Sequence, residues 1–145
     1  MERVLEECDA RFLFVMTHYP PFSSGGHGRV DEKGEPLERP IRQARAFLIP
    51  LFTRYGVTAV VSGHDHFYER SELPGGVTGI VSAGAGSRLY SKTDNPLQNP
   101  HSTVWRSEYH YCRVRVGPEK CRLTAVSLDG AVLDEKTWAP RRRNP

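Results

Sequence analysis

The chain has 145 residues, of which 38% are hydrophobic and 26% are charged, values that suit one ordinary globular domain. Its net charge of +3 is too small for a broad nucleic-acid surface, so we expect no nucleic-acid partner. No stretch is long and apolar enough to cross a bilayer, and we expect no membrane partner.

The N-terminal residues do not resemble a secretory leader. The stretch MERVLEECDARFLF mixes charges of both signs and lacks a small-residue cleavage site. Taken alone, the chain is expected to be cytoplasmic. It would be secreted or periplasmic if a signal peptide were encoded upstream of Met1.

The three cysteines do not form a disulfide framework. Cys112 and Cys121 flank a turn at Gly117, and in a simple hairpin Cys121 would lie opposite Val116. That position is four residues along the strand from Cys112, which is too far for a bridge. We expect buried or reduced thiols at these two positions and at Cys8.

The first half of the chain predicts a strand, a helix and a second strand. Residues 11–17, RFLFVMT, form a short apolar run that ends in a loop rich in proline and glycine. Apolar residues then recur at helical spacing from Ile41 to Tyr55, and Pro50 should kink this helix or begin a new turn. Residues 57–62, VTAVVS, predict another buried strand, which indicates a parallel crossover unit.

The second half predicts mainly antiparallel strands. FYERSEL and VTGIVSA are expected to be two strands, followed by a long loop over residues 84–106. A three-stranded meander should follow, with strands in residues 108–116, 121–128 and 131–138. The third of these fits the alternating pattern poorly, because Leu128 and Leu133 fall on the wrong face; a bulge or a covering helix would explain this. The expected fold class is therefore α/β, a strand–helix–strand unit followed by a mostly antiparallel meander.

Histidines follow both strands of the predicted parallel unit. His18 ends the first strand, and His64 and His66 end the second. Because the carboxyl ends of parallel strands share one edge of a sheet, we expect these imidazoles to converge there. Neutral imidazole is a good ligand for zinc, iron and related ions, so the set predicts a metal site. Gly63 should permit a turn that directs His64 and His66 to two neighbouring metals.

Two segments resemble a known family. The stretches THYPPFSSGGHG (residues 17–28) and SGHDHFYER (residues 62–70) resemble the second half of a calcineurin-like metallophosphoesterase, and most resemble the branch of the purple acid phosphatases. The resemblance implies hydrolysis of phosphate esters at a dinuclear centre of divalent or mixed-valence ions, iron, zinc or manganese. It also implies that residues 1–140 are the C-terminal half of a four-layer α-β-β-α sandwich, followed by a basic tail over residues 141–145.

The resemblance also assigns roles to individual residues. His18 and His64 match ligands of one metal, and His66 matches a ligand of the other. His27 falls where this branch has a catalytic histidine that contacts the phosphate or protonates the leaving group. Structural roles are implied for the residues that follow His66, with Glu69 and Arg70 bracing the loop: Tyr68, Glu69 and Arg70.

The carboxylate motifs of the family are absent from this chain. Neither Asp-x-His, nor Gly-Asp, nor Gly-Asn-His occurs in the sequence. Residues 31–38 are expected to be a solvated loop, and Asp65 should point away from the metals. Without carboxylates the histidines cannot hold two divalent ions tightly. We therefore expect a missing N-terminal half of the domain, or another chain, as the completing partner, and a phosphate ester as the substrate.

Two alternatives remain open at the level of sequence. The chain could be a non-catalytic remnant, a binding or regulatory module that holds one metal or none. The glycines of residues 84–86 resemble the start of a dinucleotide fingerprint, but Leu89 replaces its third glycine and no helix pattern follows. His101 and His110 are expected to be an ordinary loop residue and an ordinary strand residue.

Overall fold

The computed structural model describes residues 1–141, so residues 142–145 of the predicted basic tail lie outside the described residues. The strands are β1 (Phe14–Thr17), β2 (Ala59–Ser62), β3 (Tyr68–Glu72), β4 (Thr78–Ser82), β5 (Ser102–Arg106), β6 (His110–Val116), β7 (Cys121–Ser127) and β8 (Val132–Trp138). The α-helices are α1 (Glu2–Glu7), α2 (Arg39–Gln43) and α3 (Ile49–Arg54). The strands form a mixed sheet in the order β1-β2-β4-β3-β5 and an antiparallel sheet in the order β6-β7-β8.

The predicted parallel unit is confirmed. Strands β1 and β2 pair in parallel, with Thr17 beside Ser62 at their carboxyl ends. Between them, α2 continues through a π-helical turn at Ala44–Leu48 into α3. Pro50 lies in the first turn of α3, where its missing N–H costs no helical hydrogen bond, so the predicted new turn is also confirmed. No helix within residues 1–141 is long and apolar enough to cross a membrane.

Strand β2 is buried on both faces, as its unbroken apolar sequence predicts. Val60 packs against Phe52 of α3, in a hydrophobic cluster between the helices and the mixed sheet. The neighbouring Ala59 packs with Leu123 and Trp138, in a second cluster between the two sheets. Successive side chains of a strand point to opposite faces, so one short strand joins both halves of the core. The described chain is thus three layers: helices, mixed sheet and antiparallel sheet.

The prediction of one long loop over residues 84–106 is wrong at its end. Strand β5 occupies Ser102–Arg106 and pairs antiparallel with β3, as Glu69 opposite Trp105 illustrates. Sequence reading predicts a loop here because Asn, Pro and Ser residues surround the segment. In the structure its Thr103 side chain is also exposed. Its pairing comes from the free edge of β3, which local sequence does not reveal.

The meander is confirmed, including its irregular third strand. Cys121 lies opposite Val116 and Cys112 opposite Ala125, so Cys112 and Cys121 are not bridged. A register shift beside Ala125 marks a bulge between β7 and β8. A bulge moves the following residues to the other face of a strand, which explains why the alternation fails there.

A buried ion pair joins the two sheets. Arg70 of β3 donates from Nε to Asp134 of β8 at 2.6 Å, and the Tyr68 hydroxyl donates to the same carboxylate at 2.7 Å. Arg70 thus has a structural role, as the resemblance implies, but its guanidinium is turned toward the second sheet and binds Asp134. Arg141, the first residue of the predicted tail, donates to the Tyr55 carbonyl at 2.6 Å.

Replacing Asp134 with alanine is expected to lower the free energy of unfolding by about 3 kcal/mol, because Arg70 would keep a buried charge with fewer partners. The side chains of Asp134 and Arg70 are only 7% and 13% exposed. The matched control is Glu135→Ala, which removes the exposed partner of Arg122 on the same strand and should cost less than about 1 kcal/mol. Urea denaturation measures the free energy of unfolding of both variants. Equal losses would show that the buried pair stabilises the fold no more than the exposed pair does.

Candidate metal centre

The histidines that end the parallel strands lie at one edge of the mixed sheet. His18 follows β1 and His64 follows β2, and the Gly63 N–H donates to the His18 carbonyl at 3.1 Å. His18 Nε2 lies 3.1 Å from His64 Nδ1, with the ring centroids 4.9 Å apart. Two imidazoles from separate loops thus meet edge to face, with ring planes at 68°, at the edge where open α/β sheets bind ligands.

The turn that presents His64 is strained at the histidine itself. His64 has φ of +71°, and it is the one non-glycine residue among residues 1–141 in the left-handed region. The prediction that Gly63 provides this turn is wrong, since Gly63 has no positive φ. A bulky side chain in this conformation costs roughly 1–3 kcal/mol, and such strain collects at functional sites.

A carboxylate that the sequence analysis assigned to a solvated loop enters the cluster. Glu38 Oε1 lies 2.6 Å from His27 Nδ1, and Glu38 Oε2 lies 3.3 Å from His64 Nε2. His27, Glu38 and His64 each offer a ligand atom, and these three atoms lie within 4.8 Å of one another. The expectation that residues 31–38 are merely solvated is therefore wrong for Glu38.

The position of Glu38 has a signal in the sequence. Glu38 is the N-cap of α2, followed by Pro40 in the first helical turn, a common pattern at helix starts. In a parallel crossover unit the helix begins near the edge where the first strand ends. An acidic residue at that helix start should consequently lie near His18 and its neighbours.

Two buried carboxylates hold the loop that carries His27. Asp65 accepts hydrogen bonds from the Ser23 hydroxyl at 2.5 Å and from the His27 N–H at 3.3 Å. Glu69 accepts from the hydroxyl of Ser24 at 2.5 Å and from its N–H at 2.9 Å. Glu69 therefore braces this loop, as the resemblance implies. That Asp65 points away from the metals stays a prediction.

Arg45 ties the same loop to the helical layer. Its guanidinium donates to the Pro21 carbonyl at 2.7 Å and to the Gln98 carbonyl at 2.7 Å, and lies 4.0 Å from the centroid of the Phe22 ring. Burial lowers the pKa of Arg45 to about 10, so it remains charged at neutral pH. The loop is thereby fixed from both sides.

The hydrogen bonds order the protons of the cluster. A carboxylate accepts, so His27 Nδ1–H and His64 Nε2–H both donate to Glu38. His64 Nδ1 is then a bare acceptor that faces His18. Burial, followed by the neighbouring His27 imidazole, lowers the pKa of His64, while Glu38 opposes the shift. Since the neutral ring binds metals, His64 stays ready as a ligand at pH values where an ordinary histidine is protonated.

His66 lies apart from the paired imidazoles. Its Nδ1 donates to the Arg88 carbonyl at 2.9 Å, and its ring stacks on Tyr90 at a centroid distance of 4.3 Å. The Tyr90 ring in turn lies 6.0 Å from the His27 ring. His66 is therefore beside the cluster, with Nε2 left for another partner. Within the cluster, the His64 ring contacts the rings of both His18 and His27.

The donor set fits a bound metal. Two imidazole nitrogens on one tetrahedral zinc ion, each at about 2.0–2.1 Å, are themselves about 3.3 Å apart. The 3.1 Å between His18 Nε2 and His64 Nδ1 is close to this spacing. Metal-binding histidines also usually donate their other N–H to a carboxylate or a carbonyl, as His64 does to Glu38 and His66 to Arg88.

The chain is similar to curated acid phosphatases. It is 29% identical to tartrate-resistant acid phosphatase type 5 of Rattus norvegicus over 154 residues, which cover 100% of this chain and 42% of the relative. It is 31% identical to the Homo sapiens protein of the same name over 140 residues, which cover 92% of this chain and 39% of the relative. The chain thus spans about two fifths of the length of the curated relatives it matches. No family model matches it.

The fold agrees with these relatives. A purple acid phosphatase from yellow lupin (Lupinus luteus) seeds superimposes with a TM-score of 0.79 at 20% sequence identity, over 95% of this chain and 27% of that chain. At this identity the superposition bears on the fold alone, and it confirms the predicted α/β arrangement as part of the purple acid phosphatase fold. The chain belongs to the calcineurin-like metallophosphoesterases, in the branch of the purple acid phosphatases, and corresponds to part of their domain.

Proposed function

We propose that the chain supplies the histidine side of a dinuclear centre that hydrolyses phosphate esters. His18 and His64 would bind one ion, His66 would bind the other, and His27 would act on the substrate. The observation that carries the proposal is the pair of facing nitrogens, His18 Nε2 and His64 Nδ1, 3.1 Å apart at the carboxyl ends of β1 and β2.

Bound metal ions of this kind, iron, zinc or manganese, lower the pKa of a water molecule and neutralise charge on a phosphoryl group. The protein residues contribute orientation and proton transfer. Glu38 holds His27 through Nδ1, so the Nε2 of that ring remains for a phosphate oxygen or a leaving oxygen. The same carboxylate fixes the ring of His64, which keeps both imidazoles in one arrangement.

Glu38 offers one carboxylate beside His27 and His64, but the carboxylate motifs of the family would have to come from outside this sequence. No Asp-x-His, Gly-Asp or Gly-Asn-His motif is present, and the nearest carboxylates on the histidine loops, Asp65 and Glu69, are engaged by serines. We infer that a preceding segment of the domain or a second chain completes the site. A non-catalytic binding or regulatory module that holds one ion or none is the second candidate, and the same lack of carboxylate motifs favours it.

The test measures bound metal and hydrolysis together. The protein is expressed alone and together with a segment that carries the three missing motifs, then loaded with Zn²⁺, Mn²⁺ or iron. The proposal predicts hydrolysis of an aryl phosphate that depends on both the metal and the completing segment. Bound metal without hydrolysis in every combination would support the non-catalytic module. Absence of both bound metal and hydrolysis would contradict the hydrolytic proposal and would also leave the non-catalytic module, which holds one ion or none.

A further inference from the structure

A cavity of about 420 Å³ lies at the edge of the mixed sheet opposite His18 and His64. Thr58, which precedes β2, and Thr78, which begins β4, line it at the amino ends of the parallel strands. Residues of α3 and β8 line it as well, so all three layers of the described chain meet there. The volume falls in the range of roughly 300–1,000 Å³ that is typical of ligand pockets. We call this cavity the distal cavity, because it lies away from the candidate metal centre.

Two buried hydroxyl groups belong to residues that line the distal cavity. The Thr58 hydroxyl accepts from the Leu13 N–H at 2.9 Å, and the Thr78 hydroxyl accepts from the Trp138 Nε1–H at 2.9 Å. Thr58 and Thr78 are only 7% and 1% exposed. A hydroxyl that accepts still has its own proton to donate, and neither proton has an acceptor within residues 1–141. The two groups therefore favour a ligand that accepts hydrogen bonds.

The lining of the distal cavity carries more positive than negative charge. Lys136 and Arg141 are its cations, and Glu72 is the one carboxylate among its lining residues in the described part of the chain. Glu72 is already shared, since Lys136 Nζ lies 2.7 Å from its Oε1 and Arg70 Nη1 lies 2.6 Å from the same oxygen. One carboxylate thus faces two cations before the charge of Arg141 is counted.

Arg141 has no carboxylate partner within residues 1–141. Its guanidinium donates to the Ala10 carbonyl at 2.7 Å, to the Tyr55 carbonyl at 2.6 Å and to the Cys8 carbonyl. These bonds fix the guanidinium in place but leave its charge unneutralised. They also use three of its five N–H groups, so two remain for another acceptor.

We propose that the distal cavity binds a small molecule that carries an oxyanion, either a carboxylate or a tetrahedral group such as sulfate. Lys136 and Arg141 would supply charge-assisted hydrogen bonds, which are roughly twice as strong as neutral ones, and the two threonine hydroxyls would supply neutral donors. Such a ligand would contact the mixed sheet and the antiparallel sheet together. The inference is independent of the proposed function, because the distal cavity shares no residue with the candidate metal centre.

The experiment follows the indole N–H signals of the two tryptophans by NMR while metal-free protein is titrated with sodium sulfate or with sodium succinate. Sodium chloride at matched ionic strength is the reference. The Trp138 indole donates to Thr78 in the wall of the distal cavity, so its signal should shift and saturate. Trp105 lies in β5 and does not line the cavity, so its signal should stay in place. The variant Trp105→Phe assigns the two signals.

The variant Lys136→Gln should weaken binding of the preferred anion at least about tenfold, the cost of losing a charge-assisted hydrogen bond. Glu72 keeps Arg70 as a partner, so the fold should persist. The matched control is Lys120→Gln, which removes an exposed cation from the turn between β6 and β7 and should leave the affinity unchanged.

A preference for sulfate or for succinate would identify which oxyanion the distal cavity takes. The inference would be overturned if the Trp138 signal moved no further with either anion than with chloride. Equal affinities in Lys136→Gln and in the unmodified protein would overturn it as well, because the anion would then bind elsewhere.

Discussion

Replacing His64 with asparagine is expected to lower the affinity for Zn²⁺ at least about 100-fold, a larger loss than removal of an outer-shell partner causes. His64 is the residue on which the cluster converges, since its Nδ1 faces His18 and its Nε2 contacts Glu38. Asparagine tolerates the left-handed backbone of this position better than alanine, so the turn should persist. Zn²⁺ titration by calorimetry measures the change.

The matched control for this variant is His101→Asn. His101 is half-buried and packs edge-to-face on Phe22, outside the cluster around His64. The control should bind Zn²⁺ as the unmodified protein does. If both variants lose affinity equally, or if His64→Asn retains it, the pair of facing imidazoles is not the metal site.

Replacing Glu38 with glutamine is expected to lower the affinity for Zn²⁺ about 10–100-fold, the usual cost of losing a carboxylate behind a metal-binding histidine. The amide keeps the shape of the side chain, but it carries no charge, and its NH₂ group cannot accept a hydrogen bond from His27 or His64. Glu38 accepts from both rings, so one substitution loosens two imidazoles at once. The free energy of unfolding should change little, because Glu38 lies outside the hydrophobic core.

The control is Glu32→Gln, which removes the same charge from an exposed position of the same loop. Zn²⁺ titration and urea denaturation of both variants separate a local role from a global one. Unchanged affinity in Glu38→Gln would mean that His64 is oriented without it. A matching loss in Glu32→Gln would mean that the effect is long-range charge alone.

Much of the fold is predictable from local patterns. The buried run at residues 57–62, the helical spacing that ends at Tyr55 and the alternation in β6 and β7 each specify an element before any tertiary contact is known. β5 is not predictable in this way, because Ser102–Arg106 is short, follows a long polar loop and becomes a strand by pairing with the edge of β3. The bulge beside Ala125 was one of two explanations for the irregular third strand, and only the paired register distinguishes them.

The proximity of His18 and His64 was predictable from the topology of the sheet. His18 and His64 are 46 positions apart, yet the parallel pairing of β1 and β2 places their loops together. Glu38 was missed because a charged residue in a polar segment carries no periodic signal, and its role depends on where α2 begins. The turn between β2 and His66 was assigned to Gly63 because a glycine is the ordinary choice for a turn, whereas His64 is the residue with positive φ.

We propose above all that His18 and His64 bind one metal ion at the carboxyl ends of β1 and β2. The most direct measurement is anomalous diffraction at the zinc edge from crystals grown with Zn²⁺. We expect a strong anomalous peak at zinc-bonding distance from His18 Nε2 and His64 Nδ1. Glu38 should still contact His64 Nε2. Zinc bound elsewhere, with these two nitrogens still sharing a hydrogen bond, would contradict it.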